Sequence, residues 1–219
     1  MPHRGSRAAR VLVVTTLLVA ALGGWRTLTA PSFSESGVPT VFVGDSITQA
    51  GSESFRGMPS RRSWVRYVVT DERSPWRFVA NVAVRGQRLD EMAARFERDV
   101  LARDPEAVVV LGGTNDVLQG VPVAESLVHL EAMVTAAQDA GARVWVVAPP
   151  PMAPARGDAR PLRDAQEALA EDLGATWVDP TSAVGAPDGT WLPEMSRDGV
   201  HPTREAARRW AASVLAAVQ

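Results

Sequence analysis

The sequence predicts an α/β protein: a three-layer α/β/α sandwich around a central, mostly parallel five-stranded sheet. Three observations predict it. Five short apolar runs recur along the chain, amphipathic helical patterns separate them, and the residues able to do chemistry fall just after the runs. The runs occupy 40–43, 78–81, 107–111, 143–148 and 176–179. Near-continuous apolar character over such lengths marks strands buried on both faces, as in parallel sheets, whereas a strand with one wet face alternates. Strands that alternate with helices are joined by right-handed crossovers, which place helices on both faces of the sheet.

Taken in order, the first run ends at Gly44-Asp45-Ser46. Beyond it, 51–62 reads as a polar, mobile loop, and Trp64, Val65, Val68 and Val69 have the spacing of a short buried helix. After the second run, Leu89, Met92, Ala93, Phe96 and Val100 share one helical face. After the third, Leu127, Leu130, Val134 and Ala137 do the same, with Gly141 placed to end that helix in the left-handed region. A helix is predicted over 161–173, and Thr203 can cap a last one whose Ala207, Trp210, Ala211, Val214 and Val218 face inward.

Composition removes several function classes. All 23 basic residues are arginines and there is no cysteine, so lysine Schiff bases, phosphate-loop lysines, Ser-Lys dyads, thiol catalysis, disulfides and thiolate zinc sites are excluded. Asp45, Asp116 and Asp198 could together attract a hard cation, but with one usable histidine no metal site is expected, nor any other cofactor. Charge is uneven. Arg4, Arg7, Arg10 and Arg26 stand in a segment without acids, leaving 19 arginines against 25 acidic residues from residue 31 on, a net charge near −6. Such a body has no basic stripe for nucleic acid.

The first 30 residues read as a leader. Arg4, Arg7 and Arg10 precede a 12-residue apolar run at 11–22, followed by small residues, which is the three-part pattern of a secretory signal. The run is shorter than the roughly 20 residues of a stable membrane span. The expected organisation is a signal peptide or uncleaved signal anchor at 1–30 and a single catalytic domain at 31–219, secreted or tethered outside the cytoplasm.

In open α/β sheets ligands bind beyond the carboxyl ends of the strands. Ser46 follows the first strand, Gly86 the second, Asn115 the third, and Asp198 and His201 the fifth, so all five belong to one edge. Singly, each has a bland reading: Asp45-Ser46 as a helix cap, Gly112-Gly113-Thr114-Asn115-Asp116 as a turn, Asp198-Gly199 as another. Their convergence from separate segments is what carries weight. A serine hydroxyl becomes nucleophilic only beside an imidazole whose tautomer is fixed by a third group. Of the three histidines, His3 lies in the leader and His129 within an amphipathic helix, which leaves His201.

Four blocks carry a resemblance to a known family. Gly44-Asp45-Ser46-Ile47-Thr48, Asn81-Val82-Ala83-Val84-Arg85-Gly86, Gly112-Gly113-Thr114-Asn115-Asp116 and Asp198-Gly199-Val200-His201-Pro202 together resemble the SGNH or GDSL hydrolase superfamily, with Ala83 standing where many relatives have glycine. The resemblance implies that superfamily's flavodoxin-like fold. It also implies Ser46 as nucleophile, His201 as base and then acid, Asp198 as orienter, and an oxyanion hole from the N–H of Ser46, the N–H of Gly86 and the amide of Asn115. Asp45 and Asp116 are read as structural, bonding backbone N–H groups.

The expected activity is hydrolysis of carboxylic esters through an acyl-enzyme, on small-molecule, glycan or lipid esters. Short acyl groups on sugars or small alcohols come first, with lysophospholipid or longer-chain esters and acyl transfer to exported glycans as alternatives. A non-catalytic binding module is the rival from another class. Pro149-Pro150-Pro151-Met152 and Trp191-Leu192-Pro193 either wall the substrate site or are ordinary loop packing.

Overall fold

The computed structural model describes residues 33–50 and 59–219. The expected leader and the 51–58 part of the expected mobile loop lie outside the described residues.

Five strands form one sheet: β1 (Val38–Gly44), β2 (Trp76–Asn81), β3 (Ala107–Leu111), β4 (Arg143–Val147) and β5 (Thr176–Val178). The spatial order is β2-β1-β3-β4-β5 and every neighbouring pair is parallel, so the sheet is wholly rather than mostly parallel. The helices are α1 (Ser46–Gln49), α2 (Trp64–Val69), α3 (Leu89–Ala93), α4 (Phe96–Asp99), α5 (Thr114–Gln119), α6 (Val123–Asp139), α7 (Arg160–Asp172) and α8 (Arg204–Ala217).

Strand periodicity sorts the apolar runs onto two faces. On one, Phe42, Val109, Leu111, Trp145 and Val147 meet Trp64, Val65 and Val68 of α2 and Trp210, Ala211 and Val214 of α8. On the other, Val41, Val43, Val108, Val110, Val144 and Val146 meet Leu89, Met92 and Phe96, then Leu130, Val134 and Ala137 of α6. Both faces of the three central strands are thus covered, which is why their sequences do not alternate. Phe42 stands edge-on to Trp64 and to Trp76 with centroids 5.8 Å apart in each case, a geometry that adds to plain burial.

The helix predicted across 89–100 is broken. Arg95 leaves helical geometry at φ −116°, ψ 2°, dividing α3 from α4. Its guanidinium, largely buried, donates to Val82 O and Gln87 Oε1 at 2.7 Å each and pairs with Asp99 at 3.3 Å. A polar group so enclosed needs these partners, and reaching them costs the continuity of the helix.

Chain direction across the sheet reverses at β1: one crossover leads outward to β2, the next back across to β3. The carboxyl ends of β1 and β3 lie side by side, with Gly44 opposite Leu111. This switch point opens a crevice at the strand ends, and Ser46 and Asn115 stand in the first turns of α1 and α5, the helices that follow those two strands.

Candidate active site

Ser46 starts α1 one residue after β1. Asp45 caps that helix, its Oδ1 accepting the N–H of Ile47 at 2.9 Å, and as the first helical residue Ser46 has an N–H without an intrahelical acceptor. Gly44 is required by close approach: a Cβ there would lie 2.5 Å from the Leu111 carbonyl oxygen and 2.7 Å from Thr48 Oγ1. The far end of α1 is tied down at the Thr48 carbonyl, which accepts from Ser63 Oγ at 2.6 Å and Asn81 Nδ2 at 3.0 Å.

His201 reaches Ser46 from the loop before α8. Its Nε2 is 2.9 Å from Ser46 Oγ, and its Nδ1 is 2.7 Å from Asp198 Oδ2. The other carboxylate oxygen of Asp198 accepts the N–H groups of Val200 at 2.9 Å and His201 at 2.8 Å, so one side chain both orients the ring and folds the loop that carries it. Ser196 closes this loop, donating to the His201 carbonyl at 2.8 Å and accepting the Gly199 N–H at 3.0 Å. Burial opposes the Asp198 charge, but the hydrogen bonds from the backbone and imidazole of His201 and from Val200 outweigh it and hold the carboxyl well below the usual range. About half of each of the two side chains is exposed, so a substrate can reach the imidazole.

Hydroxyl, imidazole and carboxylate therefore stand in hydrogen-bonded series at the mouth of the crevice. Residues 42–209 match the GDSL-like Lipase/Acylhydrolase family. The chain belongs to that family. By that membership it is a carboxylic ester hydrolase. Among solved structures, a G-D-S-L family protein from Desulfitobacterium hafniense superposes with a TM-score of 0.71 at 20% identity, covering 83% of this chain and 99% of the other. The acetylxylan esterase Axe2 from Geobacillus stearothermophilus follows at 0.70 and 22%, covering 85% and 96%. A GDSL-like lipase from Bacteroides thetaiotaomicron gives 0.66 and 22%, covering 91% and 96%. These likenesses establish the shared fold. The uncharacterized lipoprotein YqeF of Bacillus subtilis is 33% identical over 76 residues, 35% of this chain, and the match spans 31% of that relative's length.

The remaining residues expected of a GDSL hydrolase site follow β2 and β3 at the same edge of the sheet. Gly86 follows β2 at φ +80°, a conformation that side chains rarely adopt; the space a Cβ would fill is open, so backbone geometry and not packing calls for glycine. Among the described residues its N–H meets no acceptor. Asn115, in the first turn of α5, donates from Nδ2 to the Gln87 carbonyl at 2.9 Å, which fixes the amide beside the Gly86 turn. Asp116 braces that turn from behind, its two oxygens accepting the Leu89 N–H at 3.1 Å and the Ser126 hydroxyl at 3.0 Å. His129 lies on α6 and makes no hydrogen bond to Ser46, Asp198 or His201. Among the described residues no three histidine or carboxylate groups stand close enough to share a metal ion.

The expected substrate walls are elsewhere. Pro149, Pro150, Pro151 and Met152 are buried, and Trp191, Leu192 and Pro193 border a separate depression of about 350 Å³. The cleft that contains Ser46 and His201, about 870 Å³, is edged instead by arginines. Asn81, Ser196 and those arginines have no role in the motif pattern of the sequence. Asn81 and Arg85 nonetheless lie inside a family block and Ser196, Arg197 and Arg204 beside one, whereas Arg61 and Arg62 lie in none.

Asp45 is fully buried. Burial pushes its carboxyl up to about 7, against the Ile47 N–H and the positive charge available at His201, both of which favour the anion. An unfolded aspartate ionises near about 3.9. Between these values the unfolded chain has lost the proton and the folded protein keeps it, so stability is complete below about 4 and falls as pH rises toward about 7, by a few kcal/mol. Asp45→Asn retains an acceptor for the Ile47 N–H and has no charge to bury. Its thermal midpoint is expected to decline less than the wild type's from about pH 4 to about pH 7; parallel declines would contradict the assignment.

Proposed function

We propose that Ser46, His201 and Asp198 are the catalytic triad of an exported serine esterase acting on short-chain acyl esters of sugars or small alcohols. The observation that carries this reading is the unbroken series from Ser46 Oγ to His201 Nε2 at 2.9 Å and from Nδ1 to Asp198 Oδ2 at 2.7 Å. Ser46 Oγ attacks the ester carbonyl carbon as its proton passes to Nε2. The oxyanion accepts hydrogen bonds from the N–H of Ser46, the N–H of Gly86 and the Asn115 amide. Collapse breaks the acyl C–O bond, and the departing alkoxide takes the proton from Nε2. Water then attacks the acyl-enzyme, gives its proton to the same nitrogen, and releases the carboxylic acid as Ser46 is reprotonated.

A short acyl group is favoured by the cleft, whose apolar lining among the described residues is limited to Ile47, Ala50 and Pro202. The relative named as an acetylxylan esterase agrees with acetyl esters, and catalytic mutants of it replace an aspartate and a histidine three positions apart, the spacing of Asp198 and His201. Export is supported by the arginine-flanked apolar run at 11–22, and the lipoprotein relative fits the same side of the membrane. In this reading 31–219 is the catalytic domain.

Hydrolysis of p-nitrophenyl acetate, butyrate and octanoate tests acyl preference. We expect kcat/KM to fall from acetate to octanoate. A rise along that series would make the protein a long-chain lipid esterase.

A further inference from the structure

We propose that arginines around the cleft select esters whose alcohol part is anionic, namely O-acyl esters of sugars that carry carboxylate or phosphate groups; this rests on the esterase reading above. Arg61, Arg62, Arg85, Arg197 and Arg204 all line the cleft that contains Ser46 and His201. They come from four segments: the approach to α2, the residue before Gly86, the residue before Asp198, and the first turn of α8. All five are exposed.

Among the described residues these arginines have no structural ion pair. Among the described residues, Arg73, Arg88, Arg95, Arg98, Arg160 and Arg209 have carboxylates within 4.0 Å, and none of the five cleft arginines does. The only acid lining the cleft among those residues is Asp198, already engaged by His201. Nearby Arg66, on α2, has its guanidinium pKa lowered, first by burial and then by repulsion from Arg61, with Arg204 adding to it. The field at this edge is therefore positive, although 31–219 carries 19 arginines against 25 acids. Guanidiniums gathered without counter-charges repel one another, and an entering anion relieves that repulsion.

Guanidinium geometry matches carboxylate and phosphate oxygens bidentately. The arginines surround the point where the scissile ester must lie, so the charge belongs on the part of the substrate next to it. A phospholipid would also present an anion. It would need an apolar trough for its chain as well, and among the described residues the apolar lining is confined to Ile47, Ala50 and Pro202.

The test is acetate release by the full chain from matched pairs: O-acetyl glucuronic acid against its methyl ester, and O-acetyl glucose 6-phosphate against O-acetyl glucose. For at least one pair, kcat/KM is expected to be roughly tenfold or more higher on the charged member, with the advantage shrinking between about 50 and about 500 mM NaCl. The pair with the larger ratio names the anion. Arg61→Gln/Arg62→Gln and Arg197→Gln/Arg204→Gln should each bring the ratio toward one. Arg77→Gln, at an exposed arginine of β2 outside the cleft, should leave it unaltered. Equal rates within both pairs, with Ser46-dependent hydrolysis intact, would overturn the proposal and leave the esterase standing. Faster hydrolysis of lysophosphatidylglycerol micelles than of any sugar ester would overturn it in favour of lipid. Absence of Ser46-dependent hydrolysis on every ester would remove the esterase reading and this proposal with it.

Discussion

Replacing Ser46 by alanine is expected to lower kcat on an activated ester by about 10⁵-fold or more, while leaving the fold intact. The hydroxyl is half-buried at the first position of α1, and the hydrogen bond it forms is to His201 Nε2. Its loss removes the nucleophile and little packing. His201→Ala should cost a similar factor, because a serine whose proton has no acceptor is nearly as inert as no serine at all. The double variant should be scarcely slower than either single one, since the two groups act as a unit. Steady-state rates for the three proteins, with circular dichroism to verify folding, check this. Retention of more than about 1% of wild-type turnover in Ser46→Ala would rule out that nucleophile.

The second large effect is at Asp198, where two substitutions separate two duties. Asp198→Asn would keep an oxygen for the N–H groups of Val200 and His201, but would turn an amide N–H toward imidazole Nδ1. The ring would then favour the tautomer with its proton on Nε2, where it cannot receive one from Ser46. A loss of about 10⁴-fold in kcat is expected for this variant, with the thermal midpoint nearly unchanged. Asp198→Ala removes the loop contacts too, so its midpoint should fall as well. Its rate loss should still be smaller than that of Ser46→Ala, because an imidazole free to adopt either tautomer retains part of the base. Equal midpoints for the two variants would show that the carboxylate does not hold the loop.

Much of this architecture is legible in the sequence because its determinants are local. Val108-Val109-Val110 can be continuous and apolar only where both faces are covered, as they are. Thr203 caps α8 by accepting the Ala206 N–H, and Gly141 takes φ +83° after α6, each as its neighbours dictate. The serine, Gly86 and Asn115 announce themselves because each lies a few residues past a strand, and strand ends in a parallel sheet share an edge; the Asp198–His201 pair, well beyond β5, stands out instead as a carboxylate and an imidazole three positions apart just before α8.

What was not legible depends on distant partners. The break at Arg95 arises from the carbonyl of Val82 and the amide of Gln87, and no periodicity reports those. Asn81 resembles any polar residue at a strand end until its amide is seen on the Thr48 carbonyl, 33 positions earlier. The apolar stretches at 149–152 and 191–193 suggested a substrate wall by composition alone, whereas the first is buried and the second borders another depression. Conversely, Arg61, Arg85, Arg197 and Arg204 are unremarkable singly, and only the folded chain brings them around one serine.

The decisive experiment is covalent labelling with a fluorophosphonate, followed by mass spectrometry of the digested protein. A single phosphonyl adduct is expected on the peptide containing Ser46, formed far more slowly in His201→Ala because the hydroxyl then lacks its base. An adduct on another residue with Ser46 unmodified, or labelling of Ser46 at the same rate without His201, would contradict a Ser46–His201–Asp198 triad.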